Sequence, residues 1–165
     1  MMLLSSNIRH DTPALPLGST VKISKPSDGR TITLQALATY LVALADAMKE
    51  EYTAIHRAGF LLQVDCPDLA MGRHIQFADA GLEEFLKNAD LHVEALNHAL
   101  AGIPPERMRL HLCWGNYPGP HHRDVPLRDI IELVLKARPA AISFEAANPR
   151  HAHEWTLFQD VKLPD

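Results

Sequence analysis

The amino-acid sequence predicts an α/β fold made of parallel βα repeats. Short apolar segments alternate along the chain with longer segments in which apolar residues recur every three or four positions, as in amphipathic helices. The later apolar segments are nearly continuous, which is typical of parallel strands covered on both faces. The resulting order, β-α-β-α-β-α-β, requires parallel strands joined by right-handed crossovers. With 165 residues, of which 47% are hydrophobic, the chain is long enough for one domain with a buried core.

The N-terminal part divides into an irregular segment and the start of the repeat. Residues 1–19 are rich in Ser, Pro and Gly and are predicted to be irregular, so that the folded domain spans 20–165. The first strand is predicted at the alternating segment Thr20–Ser24, which ends in a turn sequence. The first helix is predicted from about Leu34 to Ala58, because Gly59 follows as a helix stop.

The rest of the repeat contains three more strands and two more helices. The predicted elements are a strand at Phe60–Asp65, a helix from about Ala80 to Ala101, a strand at Met108–Cys113, a helix from about Leu127 to Ala137, and a strand at Ala140–Glu145. Two closures fit this order: a doubly wound open sheet, or an arc of a closed (β/α)8 barrel. No glycine-rich phosphate loop follows any of these strands, which disfavours the nucleotide-binding form of the open sheet.

Composition excludes several classes of partner. The 16 basic and 20 acidic residues give a net charge of −4, so neither nucleic acid nor an anionic membrane surface is expected to bind. No apolar run approaches the roughly 20 residues of a membrane span, and Met1–Leu4 is too short for a signal peptide. A cytoplasmic location is therefore predicted. The two cysteines, Cys66 and Cys113, are expected to be free or metal-bound.

Polar groups end three consecutive predicted strands: Asp65, then His111 with Cys113, then Glu145. The carboxyl ends of parallel strands meet at one edge, where functional groups collect. His111 and Cys113 are two residues apart on a strand and so project from the same face, and both are preferred zinc ligands. Glu145 ends an otherwise apolar strand and needs a partner or a metal there.

Simpler interpretations of these residues stay open. Asp65 can be the N-cap of the next segment, Cys113 a small core residue, and His111 an ordinary hydrogen-bonded histidine. Among weaker candidates, His121-His122 with Arg123 and Asp124 is typical of a solvated turn. His151 and His153 share a face only if their segment is extended.

Three segments, 62–70, 111–116 and 142–145, resemble the cobalamin-independent methionine synthase family, specifically its catalytic C-terminal barrel. The resemblance runs from about Val21 to the C-terminus. It is strongest to the short, single-barrel methionine synthase II-like branch, which includes the epoxyalkane:coenzyme M transferases. It implies a (β/α)8 barrel that holds zinc, on which a thiol is bound as thiolate and alkylated.

The resemblance also implies roles for individual residues. It assigns His111, Cys113 and Glu145 as zinc ligands. It also implies that Asp65 binds the amino group of a homocysteine-like thiol. Methyltetrahydrofolate is the implied methyl donor, and methionine biosynthesis the implied setting. Cys66 and Met71 stand where classical methionine synthases carry carboxylates, so homocysteine itself is in doubt as the thiol.

About four βα units are present, fewer than the eight that close a barrel. The family's further cysteine ligand and its proton-donating histidine would come from later strands, so the chain is expected to be a fragment or a truncated form. Association into a homo-oligomer, most simply a homodimer, is expected because sheet edges and inner-face side chains such as Leu62, Val64 and Leu110 would lack neighbours.

Two other functions compete with an alkyltransferase. One is a non-catalytic half-barrel that pairs with itself or with another chain. The other is a uroporphyrinogen decarboxylase-like barrel; it needs no zinc, and the His111-x-Cys113 pair argues against it.

Overall fold

The computed structural model describes residues 20–21, 32–116 and 119–164. Its helices and strands, in chain order, are β1 (Thr20–Val21), β2 (Ile32–Thr33), α1 (Leu34–Arg57), β3 (Leu62–Asp65), α2 (Gly72–Ile75), α3 (Leu82–Ala99), β4 (Met108–Leu112), α4 (Leu127–Val134) and β5 (Ala141–Phe144). Short 3-10 turns occupy Pro67–Leu69, Pro105–Arg107 and Glu154–Gln159. The predicted irregular segment, 1–19, lies outside the described residues.

The centre of the fold is a three-stranded parallel sheet in the order β3-β4-β5. Val64, Leu110 and Ile142 lie side by side across it, and so do Asp65, His111 and Ser143. The parallel direction that the sequence predicts for these three strands is confirmed. Their carboxyl ends therefore share one edge.

Helices cover one face of this sheet. α1 and α3 pack against each other, and α3 also contacts α4. Apolar residues at helical spacing, such as Leu41, Phe85 and Leu96, are buried in the core. Helix α1 ends close to Gly59, whose φ of +88° is the left-handed conformation that glycine adopts without strain. None of the described helices is long and apolar enough to cross a membrane.

The first predicted strand is wrong as a member of the parallel sheet. Thr20 and Val21 pair antiparallel with Thr33 and Ile32 in a separate two-stranded ladder, and residues 22–24 lie outside the described part. Alternation of apolar and polar residues identifies an extended segment. It does not show which other strand that segment pairs with. The described residues thus form an α/β domain with three parallel strands, and they contain no closed barrel.

The side chains that were expected to line an uncovered inner face are in fact buried. Leu62, Val64 and Leu110 are 5%, 0% and 0% exposed, because they point toward the helices. The opposite face carries polar residues, including Gln63 and Arg109, whose guanidinium donates a 2.8 Å hydrogen bond from Nε to the Gln63 amide oxygen. The apolar contribution expected to drive association is therefore absent from this face, and the homo-oligomer stays a prediction.

A buried hydrogen bond between a carboxylate and a histidine connects α3 to the turn after β3. His92 Nδ1 lies 2.8 Å from Asp68 Oδ2, and the two side chains are only 5% and 6% exposed. A carboxylate buried to this degree needs such a partner, because leaving water without one is costly. This pair links the loop that follows the first parallel strand to the helical layer.

Candidate functional site

The carboxyl edge of the sheet brings Asp65, His111 and Cys113 together. Asp65 ends β3 directly opposite His111 of β4, and Cys113 is the residue that follows β4. His111 Nε2 lies 3.8 Å from Asp65 Oδ1. One potential ligand atom from each of the three residues lies within 4.8 Å of the other two. Asp65 is exposed, while His111 and Cys113 are half-buried, so the group faces solvent.

The chemistry of these three groups fits a zinc ion. Imidazole nitrogen, thiolate sulfur and carboxylate oxygen are the ligands that zinc uses in proteins, at bond lengths of about 2.0 to 2.3 Å. Bonds of that length set tetrahedral ligand atoms roughly 3.3 to 3.7 Å apart. The His111 Nε2 to Asp65 Oδ1 distance of 3.8 Å is close to that range.

Glu145 also lies at this edge but is not one of the three clustered residues. The pairing of Leu112 with Phe144 sets Glu145 beside Cys113, one position after β5, whereas the neighbour of His111 on β5 is Ser143. Of the sequence-predicted ligands, the structure therefore brings His111 and Cys113 together. It adds Asp65, predicted to bind substrate, as the third clustered group.

The Cys113 thiol is held in its protonated form by its surroundings. Burial raises its pKa; a backbone hydrogen bond from Gly115 opposes this, and the charges of Asp65 and Glu145 raise the pKa further. Without a cation, the thiol is thus a weak nucleophile at neutral pH. Cys66 is more deeply buried, with 1% of its surface exposed, and burial raises the pKa of its thiol well above the usual range.

We expect metal-free Cys113 to react slowly with iodoacetamide at neutral pH. The rate should climb with pH and inflect above the ordinary thiol pKa of about 8.5, because only the thiolate reacts and a raised pKa postpones its formation. Mass spectrometry of the labelled Cys66→Ala variant, which has a single thiol, measures this directly. A rate that has already reached its plateau at pH 7 would contradict the assigned environment.

A second polar cluster surrounds Asp124 at the same end of the sheet. Its Oδ2 accepts hydrogen bonds from His121 Nδ1 at 2.9 Å and from His151 Nε2 at 3.0 Å, and its Oδ1 lies 3.8 Å from His74 Nδ1. The interpretation of His121 as part of a solvated turn is wrong, since its side chain is 2% exposed.

These four residues come from the three connections that follow the parallel strands. His74 lies in α2, after β3, whereas His121 and Asp124 follow β4 and His151 follows β5. The sequence could have indicated this cluster only through position, because each residue lies in a segment that follows the carboxyl end of a parallel strand. Their distances along the chain, up to 77 positions between His74 and His151, concealed the cluster.

Trp114 connects the two groups of polar residues. It follows Cys113 directly and stacks on the His151 ring, with 4.0 Å between ring centroids and 15° between planes. Its Nε1 donates a 2.7 Å hydrogen bond to the Val125 carbonyl. The Trp114 backbone and side chain thus tie the strand end that carries Cys113 to the Asp124 cluster.

The fold and these sites define an α/β protein with a potential metal-binding group of Asp65, His111 and Cys113 at the carboxyl edge of its parallel sheet. No family model, curated protein or solved structure matches the chain.

Proposed function

We propose that the chain is a zinc-dependent thiol S-methyltransferase or S-alkyltransferase, or a part of one. The observation that supports this most directly is the group of Asp65, His111 and Cys113, which offers three zinc-type ligands at the carboxyl edge of a parallel sheet. The motif resemblance supports the same chemistry.

In this proposal the chain supplies three ligands and leaves one coordination position open, as catalytic zinc sites do. His111 and Cys113 are the central pair, because their ligand atoms lie within 4.8 Å of each other at the end of β4. Asp65 completes the set from β3. When bound, zinc lowers the pKa of a substrate thiol, so that its thiolate is available at neutral pH.

The protein charges then decide how reactive that thiolate is. The Cys113 thiolate and one carboxylate together offset the two positive charges of the ion, which leaves electron density on the substrate sulfur. Glu145, beside Cys113, adds a further negative charge at the same edge. The exposed face of the sheet gives substrates access from solvent.

The proposed substrates are a homocysteine-like thiol and a methyl donor of the methyltetrahydrofolate class, with an epoxyalkane:coenzyme M transferase-like reaction as the related alternative. Both follow from the motif resemblance alone. A carboxylate at this edge of the sheet that does not bind the metal can accept hydrogen bonds from the amino group of such a thiol.

Elemental analysis of the purified chain, combined with a thiol alkylation assay, tests the proposal. We expect bound or saturable zinc, and zinc-dependent transfer of a methyl or alkyl group to homocysteine or coenzyme M. A chain that binds no zinc contradicts the proposed site. A zinc-loaded chain that alkylates neither thiol favours the non-catalytic half-barrel.

The choice of third ligand is separately testable. We expect Asp65→Asn to weaken zinc binding by about 10- to 100-fold, and more than Glu145→Gln does, because an amide oxygen is a poorer ligand and Asp65 is the carboxylate nearest His111. Competition with a chromophoric chelator measures both affinities. Asp79→Asn, at a fully exposed side chain, is the matched control. A larger loss in Glu145→Gln would restore the ligand set that the resemblance implies.

A further inference from the structure

Two pairs of side chains follow one another along β3 and β4 on the polar face of the sheet, which is the face opposite the helices. Gln63 lies beside Arg109 in the strand register, and two positions further along both strands Asp65 lies beside His111. The residues that alternate with these four are buried in the core, so all four project from the polar face. The face that carries the metal-binding group therefore continues directly to Arg109.

The Arg109 guanidinium is held across the two strands. Its Nε donates a 2.8 Å hydrogen bond to Gln63 Oε1, and its Nη2 donates to the same oxygen. His111 is also directed toward β3, with Nε2 3.8 Å from Asp65 Oδ1. Because both side chains bridge the same two strands, the guanidinium is separated from the His111–Asp65 pair by about two strand residues, or roughly 6.6 Å.

The charge of Arg109 is not offset by an ion pair with any residue that the structure describes. Its partner, Gln63, is neutral. With zinc bound, the Cys113 thiolate and the Asp65 carboxylate offset the two charges of the ion. Glu145 is the further carboxylate at this edge, and it follows β5, which borders β4 on the side away from β3. The positive charge of Arg109 thus stands on the β3 side of the metal-binding group.

We propose that Arg109 binds the anionic group of the thiol substrate, so that the site selects short thiols that carry a carboxylate or a sulfonate. This inference rests on the proposed zinc-dependent function. The guanidinium uses Nε and Nη2 on Gln63 and keeps its Nη1 hydrogens for an oxyanion. A zinc–sulfur bond of about 2.3 Å, two or three carbon atoms and a hydrogen bond of about 2.8 Å together span the separation from the metal-binding group.

The contact with Arg109 gains its strength from the metal. An exposed arginine binds a free anion weakly, because water competes for the guanidinium and salt screens its charge. Once zinc holds the sulfur, the anionic group of the same molecule meets the guanidinium at a high effective concentration. We therefore expect Arg109 to raise the affinity for an anionic thiol by about three- to tenfold.

Calorimetric titration of the zinc-loaded chain with three thiols of matched length tests the proposal at constant ionic strength. The thiols are 2-mercaptoethanesulfonate, 3-mercaptopropionate and the neutral 2-mercaptoethanol. We expect Arg109→Gln to weaken at least one of the two anionic thiols by about three- to tenfold and to leave 2-mercaptoethanol unchanged. A loss confined to the sulfonate indicates a coenzyme M-like substrate, and a loss confined to the carboxylate a carboxylic thiol.

Three controls accompany this variant. Unchanged binding of 2-mercaptoethanol shows that the variant keeps its fold and its metal. Arg57→Gln, at the exposed end of α1, removes the same charge elsewhere and should change none of the affinities. Arg109→Lys keeps the charge without the planar fork and should retain part of the effect. The proposal is overturned if Arg109→Gln weakens all three thiols equally or none of them, or if Arg57→Gln has the same effect.

The result is separable from the test of the proposed function, because binding is measured without group transfer. A chain that distinguishes the thiols through Arg109 but transfers no methyl or alkyl group supports this inference and contradicts the alkyltransferase. A chain that transfers the group, with affinities that do not depend on Arg109, overturns this inference alone. A zinc-loaded chain that binds none of the three thiols overturns both.

Discussion

Replacing Cys113 by Ser, or His111 by Ala, should weaken zinc binding by about 100-fold in each case. A structural zinc site with four ligands is worth roughly 10 to 16 kcal/mol, so loss of one ligand removes about 3 kcal/mol, which corresponds to a factor of about 100. The ligand atoms of both residues lie within 4.8 Å of each other and of Asp65, so each change removes one member of the clustered group. Competitive chelator titration measures the loss.

Cys66→Ala is the matched control for the thiol. Cys66 is next to Asp65 in the chain but is 1% exposed, and it does not belong to the clustered group. We expect it to leave zinc affinity unchanged while costing some stability as a small core residue. Unchanged zinc affinity in both His111→Ala and Cys113→Ser would reject the metal assignment, and with it the proposed chemistry.

Asp68→Ala should lower the free energy of unfolding by about 1 to 3 kcal/mol, because it leaves the buried His92 ring without its hydrogen-bond partner. The Asp68 and His92 side chains are almost fully buried, and Oδ2 lies 2.8 Å from Nδ1. His92→Ala should have a comparable effect for the same reason. Urea denaturation followed by circular dichroism measures both, provided that the slope of the transition is unchanged.

The double variant and an exposed pair serve as controls. Asp68→Ala/His92→Ala should cost less than the sum of the single changes, because it leaves neither of the two buried polar groups without its partner. Lys87→Ala breaks the Glu83–Lys87 pair, in which the side chains are 85% and 72% exposed, and should leave the midpoint of the urea transition unchanged. Additive costs for the buried pair would show that the two side chains act separately.

Local sequence patterns predicted the central helices and strands well, because the positions that become buried are apolar and recur at a regular spacing. Apolar spacing identified α1 and α3, and the apolar segments at 62–65, 108–112 and 141–144 became the parallel strands. The polar residues that end these strands were predictable as a set, since parallel strands expose their carboxyl ends at one edge. His111 and Cys113 were found in this way.

Pairing and register could not be deduced in the same way. Nothing within Thr20–Val21 specifies its antiparallel partner, Ile32–Thr33, because strand pairing depends on residues elsewhere in the chain. The choice between Asp65 and Glu145 as the third clustered group depends on which residue lies opposite His111, and that is a property of register. The prediction that Leu62 lies on an uncovered face was wrong. Alternation of apolar and polar residues shows that the two faces of a strand differ, but it does not show which face the helices cover.

The bonds to Asp124 have a consequence for how this end of the protein opens. The Asp124 carboxylate accepts hydrogen bonds from histidines in the loops after β4 and β5, and it lies near His74 in α2, which follows β3. We expect these segments to exchange their amide hydrogens as one cooperative unit, because releasing one of them leaves the buried Asp124 carboxylate with fewer hydrogen-bond partners. The three connections that leave the carboxyl edge of the sheet would then open together, in a single local unfolding event.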